Sequence, residues 1–360
     1  MSNPKSKLTF RFDNFFGKVS TLMCTNFALY STGANTPYRI TARTMDFAAD
    51  LMTQLKVIPR GKSFPELVLT PLTNPVKWTN QYGYVGMECG PEGVKQITDG
   101  LNEVGVSVGL LWLADSQYPT AESAKNPTIY NICLGGWILG NFASVADLKS
   151  ALQNVTVINI KERVPVRFVL HYVVSDNTGA NLVIEFTNGQ MQTYEPANGV
   201  MTNAPPYPYH LDNLSNYVNL SLTNNAQVWW GQEINGSGCL GMPGDYTAPS
   251  RFIKATMLQQ STQNYTPENQ EQAIGLALRI LQNFATPKGS VVEVNGGKLD
   301  YTQWGVVRDH KNLVYHFFTQ FNNNTFAIDL SKINFQTVKP NGISIEQSNW
   351  MTDITANLKD

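Results

Sequence analysis

The chain has 360 residues, 42% of them hydrophobic and 11% aromatic, which is enough for a substantial core in one large domain or two. Its 26 Lys and Arg against 27 Asp and Glu leave a formal charge of −1, so it carries no electrostatic footprint for nucleic acid or an anionic membrane. The best apolar run, Val104 to Ala114, is only 11 residues long and contains Gly and Ser, so no membrane span is expected.

Residues 1–23 carry Lys5, Lys7, Arg11, Asp13 and Lys18 and hold no uninterrupted apolar stretch, so they form no recognisable secretory signal. They read as a pro-segment, a non-native extension, or an over-long start with Met23 as the initiator. A cytoplasmic location is expected, or a periplasmic one if the native N-terminus differs. In each case a cut before Cys24 would give one residue both a thiol and an α-amine. Such an amine has an ordinary pKa of about 7.7–8.0 and can serve as a base near neutrality.

Residues 24–31 and 38–43 alternate loosely around Thr32-Gly33-Ala34-Asn35-Thr36-Pro37, which is turn chemistry. A turn centred near residue 34 pairs position 24 with about 44 and brings Cys24 close to Arg43 and Asp46. Those two side chains face opposite ways on an ideal strand, so a bulge or an early strand end must bring both to the thiol. On these residues alone, Cys24 is as readily a buried free cysteine as a nucleophile.

Strand-like segments follow at 54–59, 104–113, 166–175, 181–186, 190–194, 304–308, 313–319 and 325–329. Turn residues separate several of them, including Asp176-Asn177-Thr178-Gly179, Asn188-Gly189, Asp309-His310-Lys311-Asn312 and Asn322-Asn323-Asn324. Helical patterns lie at 128–142, 144–153, 211–218, 250–260 and 267–285, the last expected to carry Pro267 in its first turn. Two batches of strands with helices between them predict an α+β layered fold. No linker divides residues 24–340, so these form a single domain, with 341–360 as a surface tail.

Gly236-Ser237-Gly238-Cys239-Leu240-Gly241 matches a dinucleotide fingerprint, but Met242-Pro243-Gly244 follows it and cannot cleanly open the helix that motif requires. The four cysteines are widely spaced and do not cluster with His171, His210, His310 or His316, so no metal is expected, and no cofactor. Cys89, Cys133 and Cys239 read as packing residues, and His310 and His316 as hairpin residues.

Further segments complete a pattern with Met23-Cys24-Thr25 and Ala42-Arg43-Thr44-Met45-Asp46. They are Asp99-Gly100-Leu101-Asn102-Glu103 running into Gly109-Leu110-Leu111-Trp112, Val200-Met201-Thr202-Asn203-Ala204-Pro205, Met242-Pro243-Gly244-Asp245 with Pro249-Ser250-Arg251-Phe252, and Thr302-Gln303-Trp304. In this order they resemble the choloylglycine hydrolase family of bile salt hydrolases and penicillin V acylases, over about residues 23–335.

The resemblance implies a four-layer αββα N-terminal-nucleophile hydrolase fold with two stacked antiparallel sheets, usually assembled as a homotetramer. It implies Cys24 as nucleophile, Arg43 and Asp46 beside it, Asn203 as an oxyanion donor and Arg251 as a second active-site arginine. The partner would be a small-molecule amide, with neither nucleic acid nor membrane involved. The chemistry agrees. Arg43 would favour thiolate over thiol, Asp46 would accept from the α-amine, and Asn203, exposed by Pro205 and Pro206, would meet the developing oxyanion.

Trp112 stands where many bile salt hydrolases have asparagine and some penicillin acylases tyrosine; its N–H is a second candidate oxyanion donor and its indole an apolar wall. Phe47 stands where bile salt hydrolases commonly carry tryptophan. With Met45, these residues form the expected pocket, and the Val108–Pro119 stretch is most similar to the Gram-negative penicillin V acylase branch, which also cleaves N-acyl homoserine lactones. The first reading of function is therefore cleavage of penicillin V-like or fatty-acyl amides through a thioester. A conjugated bile salt hydrolase is the second. A third is an unprocessed, silent acyl-amide binder, because a peptide-bonded nitrogen at Cys24 is no base.

Overall fold

In the computed structural model, residues 23–358 are described apart from 32–36, 65–71, 73, 92–93, 161–167, 196 and 294–296. The expected pro-segment, Met23 excepted, lies outside the described residues, as do the tip of the first hairpin and the start of the strand expected from 166. The strands of the two main sheets are β1 (Cys24–Ser31), β2 (Tyr38–Asp46), β3 (Gln54–Ile58), β4 (Tyr84–Cys89), β5 (Gln96–Asn102), β6 (Ser107–Trp112) and β7 (Leu170–Ser175). They continue with β8 (Asn181–Thr187), β9 (Gln190–Tyr194), β10 (Thr302–Asp309), β11 (Val314–Thr319), β12 (Asn322–Asp329) and β13 (Asn341–Ser344). One sheet has five strands in the order β1-β2-β10-β11-β12, and the other eight in the order β9-β8-β7-β6-β5-β4-β3-β13. Every pairing within them is antiparallel.

The period of two decides the layering. In the eight-stranded sheet Leu111, Val173 and Val183 join a core with Met45, Val306 and Tyr315 of the other sheet. Their neighbours Leu110, Val174, Leu182 and Ile184 point the opposite way, onto helices α1 (Asn131–Asn141) and α2 (Val145–Leu152). Helices α4 (Ala248–Gln259) and α5 (Gln270–Gln282), which follow the short α3 (Tyr207–Asn213), cover the outer side of the five-stranded sheet against β1 and β2. The order is helix, sheet, sheet, helix, as the resemblance implied.

The sheet–sheet interior holds a polar seam. Asp99 of β5 accepts from Arg43 Nη1 at 3.2 Å, Arg308 Nε at 2.8 Å, Arg308 Nη2 and the Tyr315 hydroxyl at 2.9 Å. One carboxylate thus faces two guanidiniums, all fully buried, and a lone charge so placed would be costly. Arg43 answers the excess by donating to the carbonyls of Thr98, at 2.6 Å, and Leu110. Gly109 makes room, because a Cβ there would stand 3.3 Å from both Arg43 Cδ and Arg308 Nη2.

Several expectations are corrected. Pro267 precedes α5, which starts at Gln270 with the Asn269 side chain accepting from Gln272 N–H at 2.9 Å. Thr128–Tyr130 is a short strand before α1. Asn322, Asn323 and Asn324 lie within β12 and form no turn, since Thr319 pairs directly with Asn322. The first residues of the expected tail are β13, paired along β3. Asn322 Nδ2 ties the tail further by donating to the Gln347 and Asn349 carbonyls at 3.0 and 3.2 Å.

Candidate active site

Cys24 opens β1, and its register partner is Met45, one position beyond the expected 44. The segment before Asn203 runs beside β1 as a short extra pairing. Asn26 N–H donates to the Met201 carbonyl at 2.8 Å, and Met201 N–H returns to Asn26 at 2.9 Å. That pairing delivers Asn203 to the head of β1, where Cys24 N–H donates to Asn203 Oδ1 at 2.8 Å.

Arg43 Nη2 lies 3.8 Å from Cys24 Sγ and 3.6 Å from Met45 Sδ, and the two sulfurs are 3.9 Å apart. Burial pushes the Cys24 thiol above its ordinary range, while the Arg43 charge and the Asp46 backbone N–H act in the opposite sense. The expected irregularity does not bring both side chains to the sulfur. The Asp46 carboxyl stays on the Thr44 side of β2, away from Arg43, and it is the Asp46 backbone N–H that bonds the thiol. Pairing of β2 with β10 shifts between Thr302, opposite Asp46, and Trp304, opposite Met45. The bulged Gln303 uses its amide to hold the next turn, donating to Phe47 and Ala49 carbonyls at 3.0 and 2.6 Å and accepting from Leu51 N–H at 3.1 Å.

The Asp46 carboxyl accepts from Thr44 Oγ1 at 2.8 Å and from Thr302 Oγ1. Burial pushes its pKa up to about 6 against those hydrogen bonds and the Arg251 and Arg43 charges. It was expected to receive the freed Cys24 α-amine; here that nitrogen is still peptide-bonded to Met23, and its one N–H goes to Asn203. Arg251, in the first turn of α4, does not bond the Asp46 carboxylate. It donates to the Cys24 carbonyl, to Thr25 Oγ1 at 2.8 Å and to Asn203 Oδ1 at 2.7 Å, and reaches Asp46 through its field alone.

Asn203 is buried, not exposed as expected, and one Nδ2 hydrogen goes to the Trp112 carbonyl at 2.8 Å. Among the described residues the other meets no acceptor and remains for a ligand. Leu113 N–H bonds the Val169 carbonyl, so by antiparallel alternation Trp112 and Leu170 form a pair without hydrogen bonds. The N–H and C=O of Trp112 therefore both point away from β7, to the side from which Asn203 approaches.

A cleft open to solvent at its mouth is lined by Cys24. Met45, Phe47 and Trp112 line it with Leu51, Phe168 and Leu170, whereas Asn203, expected at the same pocket, is not among its lining residues. Gln96, Thr98 and Cys89 form its polar part. Cys89 is thus more than a packing residue; its Sγ lies 3.2 Å from the hydroxyls of both Thr53 and Thr98, and burial pushes its pKa up to about 11. Cys133 packs against the α1 core, and Cys239 sits half-buried in a largely exposed loop. His310 and His316 stand at the β10–β11 hairpin as expected, His310 buried against Thr41 Oγ1 at 2.9 Å. Among the described residues no group of three His, Cys, Asp or Glu side chains is placed to hold a metal, and no helix is long and apolar enough to cross a membrane.

Sequence reasoning missed the roles of Thr302, Arg308 and Asp99. Asp99 stood inside a motif segment, and Arg308 was a charge in an otherwise apolar strand, which is the signal of a buried pair.

Residues 24–344 match the family described as linear amide C–N hydrolases, choloylglycine hydrolase family. The chain is 32% identical over 341 residues to a penicillin V acylase of Pectobacterium atrosepticum, covering 89% of this chain and 84% of that protein. It is 30% identical over 324 residues to a bile salt hydrolase/transferase of Clostridium perfringens, covering 87% and 94%. A solved variant of the conjugated bile acid hydrolase from C. perfringens superposes with a TM-score of 0.79 at 26% identity, over 92% of this chain and 100% of that one. Penicillin V acylase from Agrobacterium tumefaciens gives 0.71 at 26% identity, over 87% and 88%. With its two antiparallel sheets between helices and a cysteine at the head of β1, the chain belongs to the choloylglycine hydrolase family and is a hydrolase of linear amide carbon–nitrogen bonds.

Proposed function

We propose that the chain is an N-terminal cysteine amidohydrolase of penicillin V-like and fatty-acyl amides, active once residues 1–23 have been removed. The freed Cys24 amine, oriented by Asn203 Oδ1, takes the thiol proton, and Arg43 stabilises the thiolate beside it. The sulfur attacks the amide carbon, and the carbonyl oxygen gains a negative charge. The second Nδ2 hydrogen of Asn203 and the Trp112 N–H receive it. The Cys24 ammonium then gives its proton to the leaving amine as the C–N bond breaks, leaving a thioester. Water, deprotonated by the same amine, cleaves the thioester and releases a carboxylic acid.

The observation that carries the substrate class is the cleft. Phe47, Leu51, Trp112, Phe168 and Leu170 wall it and suit a flat aromatic ring or a straight chain. The closer backbone superposition on the Clostridium bile acid hydrolase supports a second reading, a conjugated bile salt. Turnover of penicillin V, decanoyl homoserine lactone and glycocholate at equal concentration decides between them, and faster glycocholate cleavage rejects the first.

A homotetramer is part of this proposal. The hairpin formed by Gln227–Trp229 and Gln232–Ile234 exposes Val228, Trp229, Trp230 and Ile234, an apolar patch suited to self-association. Mass photometry of the processed protein tests it.

A further inference from the structure

Two buried histidines that do not touch the sulfur hold the backbone at Asn203. His171, on β7, places Nδ1 at 2.9 Å from Glu185 Oε1 and Nε2 at 3.1 Å from the Thr202 carbonyl oxygen. A carbonyl oxygen only accepts, so Nε2 carries a hydrogen and donates it. Glu185 is fully buried and also receives Tyr207 N–H, at 2.9 Å on Oε2 and 3.1 Å on Oε1. A histidine–carboxylate pair commonly makes a base, but here the distal ring nitrogen is spent on the backbone.

His210 repeats the contact one residue along. Its Nε2 donates to the Asn203 carbonyl at 2.8 Å, and its ring stacks on Phe252 of α4 at 4.9 Å, next to Arg251. Its Nδ1 is buried without a hydrogen-bond partner among the described residues, as expected of a neutral ring protonated on Nε2. Burial pushes its pKa below the ordinary range in the same sense. Thr202 Oγ1 adds a bond to the Ala248 carbonyl at 3.0 Å, tying the peptide to the start of α4.

We infer that His171 and His210 are positioning residues for amide cleavage: by gripping the Thr202 and Asn203 carbonyls they fix the Cα–Cβ direction of Asn203, and with it the aim of its amide. The inference rests on the reading of Asn203 as an oxyanion donor. With both adjoining peptide planes held, the side chain cannot drift by rotation of the backbone, and a displacement of about 1 Å at such a group costs on the order of 100-fold in rate.

The test uses the processed enzyme. His210→Met fills the space without a donor and is expected to lower kcat by about 10–100-fold, with KM changed less than about threefold. His210→Gln, whose Nε2 can stand in for the ring donor, should recover most of kcat. In an Asn203→Ala background His210→Met should cost nothing more, because the group it aims is gone. An equal fold-loss in both backgrounds overturns the inference, since it marks general loosening of the fold. An Asn203→Ala enzyme with unchanged kcat instead overturns the oxyanion reading beneath it. Should His210→Met prove insoluble, His171→Met against His171→Gln makes the same comparison at the Thr202 carbonyl. There too, rescue by Gln and no added loss without Asn203 support the inference, and an equal fold-loss in both backgrounds overturns it.

Discussion

Cys24 and Asn203 are 179 positions apart in the chain, yet the nitrogen of one donates to the side-chain oxygen of the other at 2.8 Å. The same oxygen receives Arg251 Nη2 at 2.7 Å, while the asparagine's nitrogen donates to the Trp112 carbonyl. Asn203 therefore links the residue that supplies the thiol to the strand end that supplies the other candidate oxyanion donor. This makes its removal more informative than that of a side chain with one contact.

Asn203→Ala should lower kcat by about 10²–10³, or roughly 2.7–4 kcal/mol, with a smaller change in KM, because the interaction grows as charge develops. Alkylation of Cys24 should also slow, since the partner that orients its nitrogen is lost with the donor. Steady-state kinetics and a timed iodoacetamide reaction measure the two effects. A raised KM with unchanged kcat would reduce Asn203 to a substrate-binding group.

Arg43→Met tests the charge beside the sulfur. The guanidinium opposes the upward push of burial on the thiol, so its removal should move the pH profile of Cys24 alkylation to higher pH. Alkylation rates between pH 6 and 10 would show this. An unmoved profile would mean that Arg43 serves only its bonds to Asp99, Thr98 and Leu110.

Asp300 gives a prediction about stability. Both of its carboxyl oxygens are buried without a hydrogen-bond partner among the described residues. Burial first, then the charges of Asp46 and Glu293, push its pKa from the ordinary 3.8 up to about 8. A carboxyl raised in this way favours the fold when protonated. That contribution is full below about pH 4 and is lost as pH rises through about 8. Asp300→Asn keeps the site neutral, so its Tm should exceed the parent's at pH 9, with the gap closing toward pH 4. Equal melting curves at pH 9 would contradict the assignment.

The regular parts of this fold were legible where two-residue alternation met clear turn residues, as at 181–194 and 313–319, and the first hairpin was placed within one residue. Elements whose partners are distant were not. Residues 341–344 are polar and glycine-containing and become a strand only because β3 offers them an edge. Asn322–Asn324 read as a turn because asparagine tolerates turns, yet the hairpin reverses one step earlier. At the site, the side chains quoted for the resemblance come together, but their hydrogen bonds do not follow from it. The Cys24 nitrogen faces Asn203, not Asp46, because the 199–203 segment pairs with β1, a long-range register that no local spacing reveals. Asp99, Arg308 and Tyr315 converge from different strands across the sheet interface, so no single segment announces them.

In the proposed mechanism Cys24 is the first residue of the active chain, and its Sγ carries the acyl group. Quenching the enzyme during turnover of a slow phenoxyacetyl amide and measuring intact and peptide masses tests both at once. The expected species begins at Cys24 and carries one acyl group, mapped to the Cys24 peptide and absent from Cys24→Ala. An acyl group on Cys89, or full activity from protein whose residues 1–23 remain attached, would contradict it.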